Sequence, residues 1–205
     1  MNNFFKRILS AIILIPLSLY FIFHGSFMLM FFTATCFLVA CYEWHMMTKK
    51  KSFKNYGFFF LVFSFYTFYE LELTIVLFVI LICVSTDIGG YVFGKLFKGP
   101  KLTKISPNKT YAGMIGGYFL SLICLTIISN FIDANTPIQF FLLTLIISTV
   151  SQIGDIIISY FKRLSKIKDT GKIIPGHGGL LDRIDGMIFA FPVVYLINLT
   201  EYLNV

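Results

Sequence analysis

Charge is scarce in this chain. Charged residues fill 13% of its 205 positions and hydrophobic residues 57%, whereas a soluble domain carries roughly 25% charged residues. With a mean hydropathy of +0.82, an ordinary soluble globular protein is excluded and an integral membrane protein is expected. Cysteine is sparse too. Cys36, Cys41, Cys83 and Cys124 all fall inside apolar runs, with no CxxC and no histidine at ligand spacing, so buried thiols are expected rather than disulfides or a zinc site. There is no internal repeat, no low-complexity segment and no evident cleavable signal: the first apolar run starts near Ile8, contains Pro16, and lacks a small-residue cleavage pattern after it. Nor is there a soluble domain to present a groove, so the net charge of +7 does not indicate nucleic-acid binding.

What the chain does have is apolar runs. They lie near residues 8–23, 27–47, 56–70, 73–93, 111–132, 137–158 and 185–203, and each is close to the roughly 20 residues needed to span a bilayer. The expected fold is all-α, a polytopic integral membrane helix bundle of about seven transmembrane helices. It forms a single membrane domain over 1–205, with hydrophobic N-terminal helices in 1–80 and a catalytic region in 81–205. Only Glu70 and Glu72 separate the third run from the fourth.

Taking the turns alternately from the N-terminus puts all 17 Lys and Arg residues on one face. His24, Glu70, Glu72, Asp133 and Glu201 fall on the other. The positive-inside rule makes the basic face cytoplasmic. The expected location is therefore multi-pass in the inner, cytoplasmic membrane, with the N-terminus and the polar chemistry facing the cytoplasm. Lys6, Arg7 and the run Lys49–Lys54 are accounted for by topology and attraction to anionic lipid headgroups.

Three polar segments follow residue 85. The first is Ser85-Thr86-Asp87-Ile88-Gly89-Gly90-Tyr91, then Gly94-Lys95. An acid there is costly unless paired or hydrated, and Gly89-Gly90 lets a backbone or a ligand come close. The other reading of Asp87 is a helix-interface residue bonded to a neighbouring hydroxyl. The second is Lys104-Ile105-Ser106-Pro107-Asn108-Lys109-Thr110. Thr110 or Asn108 could cap the helix that follows, and its first-turn N–H groups could face an anion. An ordinary turn with a cap has the same appearance.

The third segment, Ser151 to Asp185, gathers Asp155, Asp169, Asp182 and Asp185 with six basic residues, His177 and the pair Gly178-Gly179. In a continuous helix Asp155, Ser159, Lys162 and Lys166 recur at i, i+4, i+7 and i+11 and share a face. Ser151 and Gln152 extend that stripe deeper into the membrane. Asp182 and Asp185 recur at i, i+3 on the opening turn of the last helix. With Asp155 they offer oxygen ligands of the kind magnesium shares with substrate phosphates. Taken singly, the lysines read as a solvated loop, His177 as a loop residue and Asp182–Arg183 as a helix-start charge pair.

The run Ser159-Tyr160-Phe161-Lys162-Arg163, then Lys168-Asp169-Thr170-Gly171, then Pro175-Gly176-His177-Gly178-Gly179-Leu180-Leu181-Asp182-Arg183-Ile184-Asp185 resembles the signature of the phosphatidate cytidylyltransferase (CDP-diacylglycerol synthase) family. Ser151–Asp155, Asp87–Lys95 and Ser106–Thr110 look like other motifs of that family, and the resemblance covers roughly residues 80–205. Members carry Trp-Glu-Gly after the Ser-Pro-x-Lys-Thr loop, where this chain has Tyr111-Ala112-Gly113. The chain is also short for the family, apparently at its N-terminal end.

The resemblance implies transfer of a cytidylyl group from CTP to phosphatidic acid. It implies Mg2+ on Asp155 and Asp182 with Asp185 as ligand or close partner, a second cation (K+ or Mg2+), and a homodimer in contact with membrane lipids. Lys162, Arg163 and His177 join those acids as the implied catalytic set. Ser159, Lys109, Asp87, Asp169, Gly178, Gly179 and Arg183 are the implied substrate contacts. Two other readings share the acids and bases: a related CTP-dependent membrane enzyme, such as a polyprenol kinase or an isoprenoid-lipid cytidylyltransferase, and an ion transporter using Asp87 and Asp155.

Overall fold

The computed structural model describes residues 3–24, 26–49, 51–103, 105–129, 137–176 and 178–200. Among them every regular element is a helix: α1 Asn3–Phe23, α2 Ser26–Thr48, α3 Lys54–Glu70, α4 Leu73–Phe97, α5 Tyr111–Ile128, α6 Pro137–Leu164, α7 Leu181–Ile184 and α8 Met187–Asn198. The all-α expectation holds. The four cysteines are free thiols.

Four helices are long and apolar enough to cross a bilayer, over Phe27–Thr48, Leu73–Phe97, Tyr111–Ile128 and Ile138–Leu164. Their outward faces fit that solvent. Phe27 on α2 and Leu96 on α4 are each at least 70% exposed, as are Tyr56 and Phe59 on the shorter α3, which water would penalise and lipid does not. The chain is a membrane protein. The runs at 56–70 and 185–203 form shorter elements: α3 has 17 residues, and the last run holds the 12-residue α8, with the four-residue α7 just before it.

The chain divides into two compact units, Met1–Glu70 with Phe161–Asp185 and Leu71–Tyr160 with Gly186–Val205. In the first, Trp44 closes the α2–α3 hairpin. Its indole N–H donates to the Lys54 carbonyl at 2.9 Å, and Gly57 leaves room for its ring, since a Cβ there would overlap it. The edge of Trp44 meets Phe53 and Phe161, and the Phe161 contact brings the start of the 161–185 segment against α2.

In the second unit α4 and α5 pack through glycine. A Cβ on Gly89 would strike the Gly116 carbonyl, one on Gly113 the Gly90 carbonyl, and one on Gly116 the Phe93 ring. Of the two readings of Gly89-Gly90, close backbone approach is the one realised. Hydroxyl pairs complete the packing, Thr86 with Ser148 at 2.9 Å and Tyr118 with Thr149 at 2.7 Å. Buried threonines elsewhere satisfy themselves on their own helix: Thr33, Thr48, Thr86 and Thr144 each donate to the carbonyl four residues back.

At about 1.5 Å per residue, the 28 residues of α6 exceed a hydrocarbon core of ~30 Å. The helix therefore runs on past the apolar run that ends near residue 158. It stops at Leu164, and this corrects the expected polar stripe. Lys166 lies outside the helix at φ +57°. Its N–H donates to the Arg163 carbonyl and the N–H of Ile167 to the Lys162 carbonyl, the paired bonds of a Schellman ending with lysine in the left-handed position usually held by glycine. The stripe on α6 thus ends at Lys162.

Candidate active site

The first group of polar side chains lies in the unit of Leu71–Tyr160. The 98–110 loop is a small hairpin: Lys101 and Thr110 form an antiparallel bridge, Leu102 N–H donates to the Lys109 carbonyl, and Lys109 N–H donates to Ser106. Thr110 then caps α5 by accepting the Gly113 N–H at 3.1 Å, one of the two caps the sequence allowed. So anchored, the loop carries Lys109 to α6. Its ammonium pairs with Asp155 Oδ2 at 2.5 Å and reaches the Gln152 carbonyl at 3.5 Å. Ser159, one turn along α6, donates to Asp155 Oδ1 at 3.3 Å. Both members of the ion pair keep part of their surface open, 24% for Lys109 and 29% for Asp155. Ser151 Oγ and Gln152 Nε2, lower on α6, are buried without a hydrogen-bond partner. Asp87 stands exposed on α4.

The second group lies wholly within Phe161–Asp185. Lys162, in the last turn of α6, donates to Asp182 Oδ1 at 2.8 Å. Asp182 Oδ2 accepts the backbone N–H of Thr170 at 2.8 Å and of Gly179 at 3.1 Å. Burial opposes the charged form of Asp182. The Lys162 hydrogen bond and charge, joined by those two N–H groups, outweigh it and hold the carboxyl below its ordinary range.

The loop folds back on itself where Ile174 N–H meets the Gly178 carbonyl. The turn needs positive φ at Gly176 and Gly178, +79° and +89°, a region glycine enters without penalty. A Cβ on Gly178 would also crowd Asp182 and Asp169. Asp169 is exposed. Arg163 donates to the Ile167 carbonyl at 3.2 Å, while Asp182 and Arg183 both belong to α7. Asp185 follows with helical dihedrals and is buried. His177 lies outside the described residues.

Two basic–acidic pairs therefore come out of the residues singled out in sequence, Lys109 with Asp155 and Lys162 with Asp182. Among the described residues, no three His, Cys, Asp or Glu side chains already stand together as a cation cluster.

One buried acid bonded to this segment is not among the residues singled out in sequence: Glu43, on α2. It is 1% exposed. Its Oε1 accepts the Leu180 N–H at 3.0 Å, and its Oε2 accepts the Leu181 N–H at 2.8 Å and the Thr170 hydroxyl at 3.1 Å. The available signal was simple. An acid inside a largely apolar 23-residue helix is costly unless donors meet its charge, so its presence calls for a partner.

Similarity to known proteins agrees with the geometry. The profile described as "Cytidylyltransferase family" matches residues 56–200. The chain is 44% identical over 139 residues to a "Phosphatidate cytidylyltransferase" of Staphylococcus aureus (strain COL), covering 65% of this chain and 54% of that one. It is 44% identical over 124 residues to the protein of the same name from Staphylococcus haemolyticus, covering 60% and 48%. The Staphylococcus epidermidis counterpart is 41% identical over 139 residues, covering 65% and 54%. The chain spans about half the length of these curated relatives. A profile match running from α3 through the end of α8 takes in both basic–acidic pairs, and on that ground the chain belongs to the cytidylyltransferase family.

Proposed function

We propose that this chain transfers a cytidylyl group from CTP to phosphatidic acid, yielding CDP-diacylglycerol and pyrophosphate. A phosphate oxygen of the lipid attacks the α-phosphorus of CTP, and the bond to the β-phosphate oxygen breaks as pyrophosphate leaves. Support comes from the names of the relatives and, above all, from the buried Lys162–Asp182 pair inside the signature segment. The lipid phosphate is already anionic, so no strong general base is needed. The obstacle is repulsion between two phosphate groups, and positive charge held in a fixed geometry relieves it.

The side chains present suit that task. Lys109 and Lys162 are each positioned by a carboxylate, and their ammonium groups are point charges able to meet phosphate oxygens. Ser159, Arg163, Arg183 and His177 are further phosphate donors on this reading, with Asp87 and Asp169 on the nucleotide side. Asp155 and Asp182 supply hard oxygen donors whose charge is balanced by an ammonium group, the chemistry that fits a divalent cation. Asp155, Asp182 and Asp185 would hold Mg2+, which supplies charge neutralisation between the reacting phosphates. A second cation, K+ or Mg2+, and a homodimer belong to the same proposal. So does a seven-span topology in the cytoplasmic membrane with the reaction on the cytoplasmic face, which the one-sided placement of the 17 basic residues supports.

The test is purified protein in proteoliposomes with Mg2+, given CTP labelled at the α- or the γ-phosphorus and either phosphatidic acid or a polyprenol. Label from the α-position should enter the phosphatidate-derived lipid, and chelation should stop it. Transfer of the γ-label to polyprenol would make the chain a kinase instead. Ion flux without transfer to any lipid would make it a transporter.

A further inference from the structure

Glu43 has no part in the chemistry just described, yet it is tied to the segment that carries it. Three donors converge on this carboxylate: the N–H groups of Leu180 and Leu181 and the hydroxyl of Thr170. Space around it is fully used. A Cβ on Gly171 or on Gly179 would collide with the Glu43 side chain, so the signature glycines at these positions make room for an acid from α2. The four-residue α7 has no side-chain cap of its own at Leu180, and its first N–H groups are satisfied by Glu43, from 137 and 138 residues away.

Thr170 makes this more than a packing contact. Its hydroxyl bonds Glu43 Oε2, and its backbone N–H bonds Asp182 Oδ2. Gly179 N–H bonds the same Asp182 oxygen, and the next two N–H groups bond Glu43. The loop is thus held between two carboxylates, one fixed on a long helix and one carried by the segment itself. A shift of either Thr170 or Leu180 away from Glu43 changes the donors that orient Asp182.

We infer that Glu43 is a positioning residue for the reaction: it clamps Thr170 and the start of α7, and thereby sets the geometry of Asp182 and its partner Lys162. The assignment rests on the proposed cytidylyl transfer. An acceptor-only group is required, because all three partners are donors. Glutamine would turn an NH2 towards an N–H, and aspartate would fall one methylene short.

The experiment uses the full chain in proteoliposomes and compares wild type with Glu43→Gln, Thr170→Val, Thr170→Ser and the Glu43→Gln/Thr170→Val double variant. Three quantities are read: kcat and KM for CTP with phosphatidic acid, the rate of tryptic cleavage at the exposed Lys166, Lys168 and Lys172, and the thermal midpoint. Glu43→Gln and Thr170→Val should each lower kcat by about tenfold or more, as loss of a supporting contact does, with KM for CTP within about twofold. Both should be cleaved several times faster than wild type, with midpoints close to it. Thr170→Ser keeps the hydroxyl and should behave as wild type, and the double variant should be little worse than either single one, since both break one clamp.

Wild-type kcat and cleavage rate in Glu43→Gln would overturn the inference. Should that variant not fold, the same wild-type behaviour in Thr170→Val overturns it instead. If wild type transfers no label to phosphatidate, the proposed function fails. The comparison of cleavage rates then still decides the clamp, because equal rates exclude it.

Discussion

The Lys162 ammonium lies 2.8 Å from Asp182 Oδ1 and ties the last turn of α6 to α7, with side-chain exposures of 11% and 5%. Taking both charges out of water is costly, and the pair stands because Thr170 and Gly179 donate to the other carboxylate oxygen. Lys109 and Asp155 repeat the arrangement in a wetter setting, where Ser159 is the additional donor.

Asp155→Asn and Asp182→Asn are each expected to lower the rate of CDP-lipid formation by about two orders of magnitude, the scale on which loss of a cation or oxyanion contact acts. Initial rates with labelled CTP measure this. Normal turnover in either variant removes that residue from the reacting centre. Lys162→Met should also lower stability by about 3 kcal/mol, because it leaves a buried carboxylate without its ammonium partner. The double variant Lys162→Met/Asp182→Asn should recover part of that loss in thermal melts.

Acid should weaken the contacts that hold this segment. The folded carboxyl of Asp182 titrates below its ordinary value of 3.8, so the unfolded chain binds this proton at higher pH than the folded one. The stabilisation is complete above the ordinary value and disappears as pH falls through the lowered one. Pepsin cleavage or hydrogen exchange at 165–180 across that acid range should show protection falling in wild type. Asp182→Asn, which has no such titration, should lack that component.

Lys166 offers a change in the opposite direction. It is exposed and sits at φ +57° in the C-terminal motif of α6, where a side chain is strained and glycine is not. Lys166→Gly should raise stability by about 0.5–1 kcal/mol, read as a higher midpoint in thermal or denaturant unfolding. An unchanged or lower midpoint would show that the strain is relieved elsewhere.

Of the residues that the sequence singles out, the fold pairs Lys109 with Asp155 and Lys162 with Asp182. Lys109 and Asp155 appear in separate motifs, and only the 98–110 hairpin explains how one reaches the other. Thr110 is one of the two caps that the sequence allows, because capping is a local event three residues in span, and the structure selects it. Lys166 was misplaced on the α6 stripe because periodicity does not show where a helix stops, and the left-handed residue that ends it is a lysine rather than the glycine that marks such endings. Glu43 was passed over because its partners lie 127 to 138 residues away.

Composition by itself fixed the solvent: so few charges and so many large apolar side chains leave a bilayer as the place where this chain can fold, with its polar chemistry confined to a few segments. Composition and spacing also singled out the side chains proposed to meet phosphate. Which of them meet was left to tertiary structure. An ion pair or a carboxylate clamp is a matter of a few ångströms between helices and loops far apart in sequence, and that distance is set by packing — glycines that let α4 and α5 close together, Trp44 against Phe161, and Glu43 reaching from α2 to the head of α7.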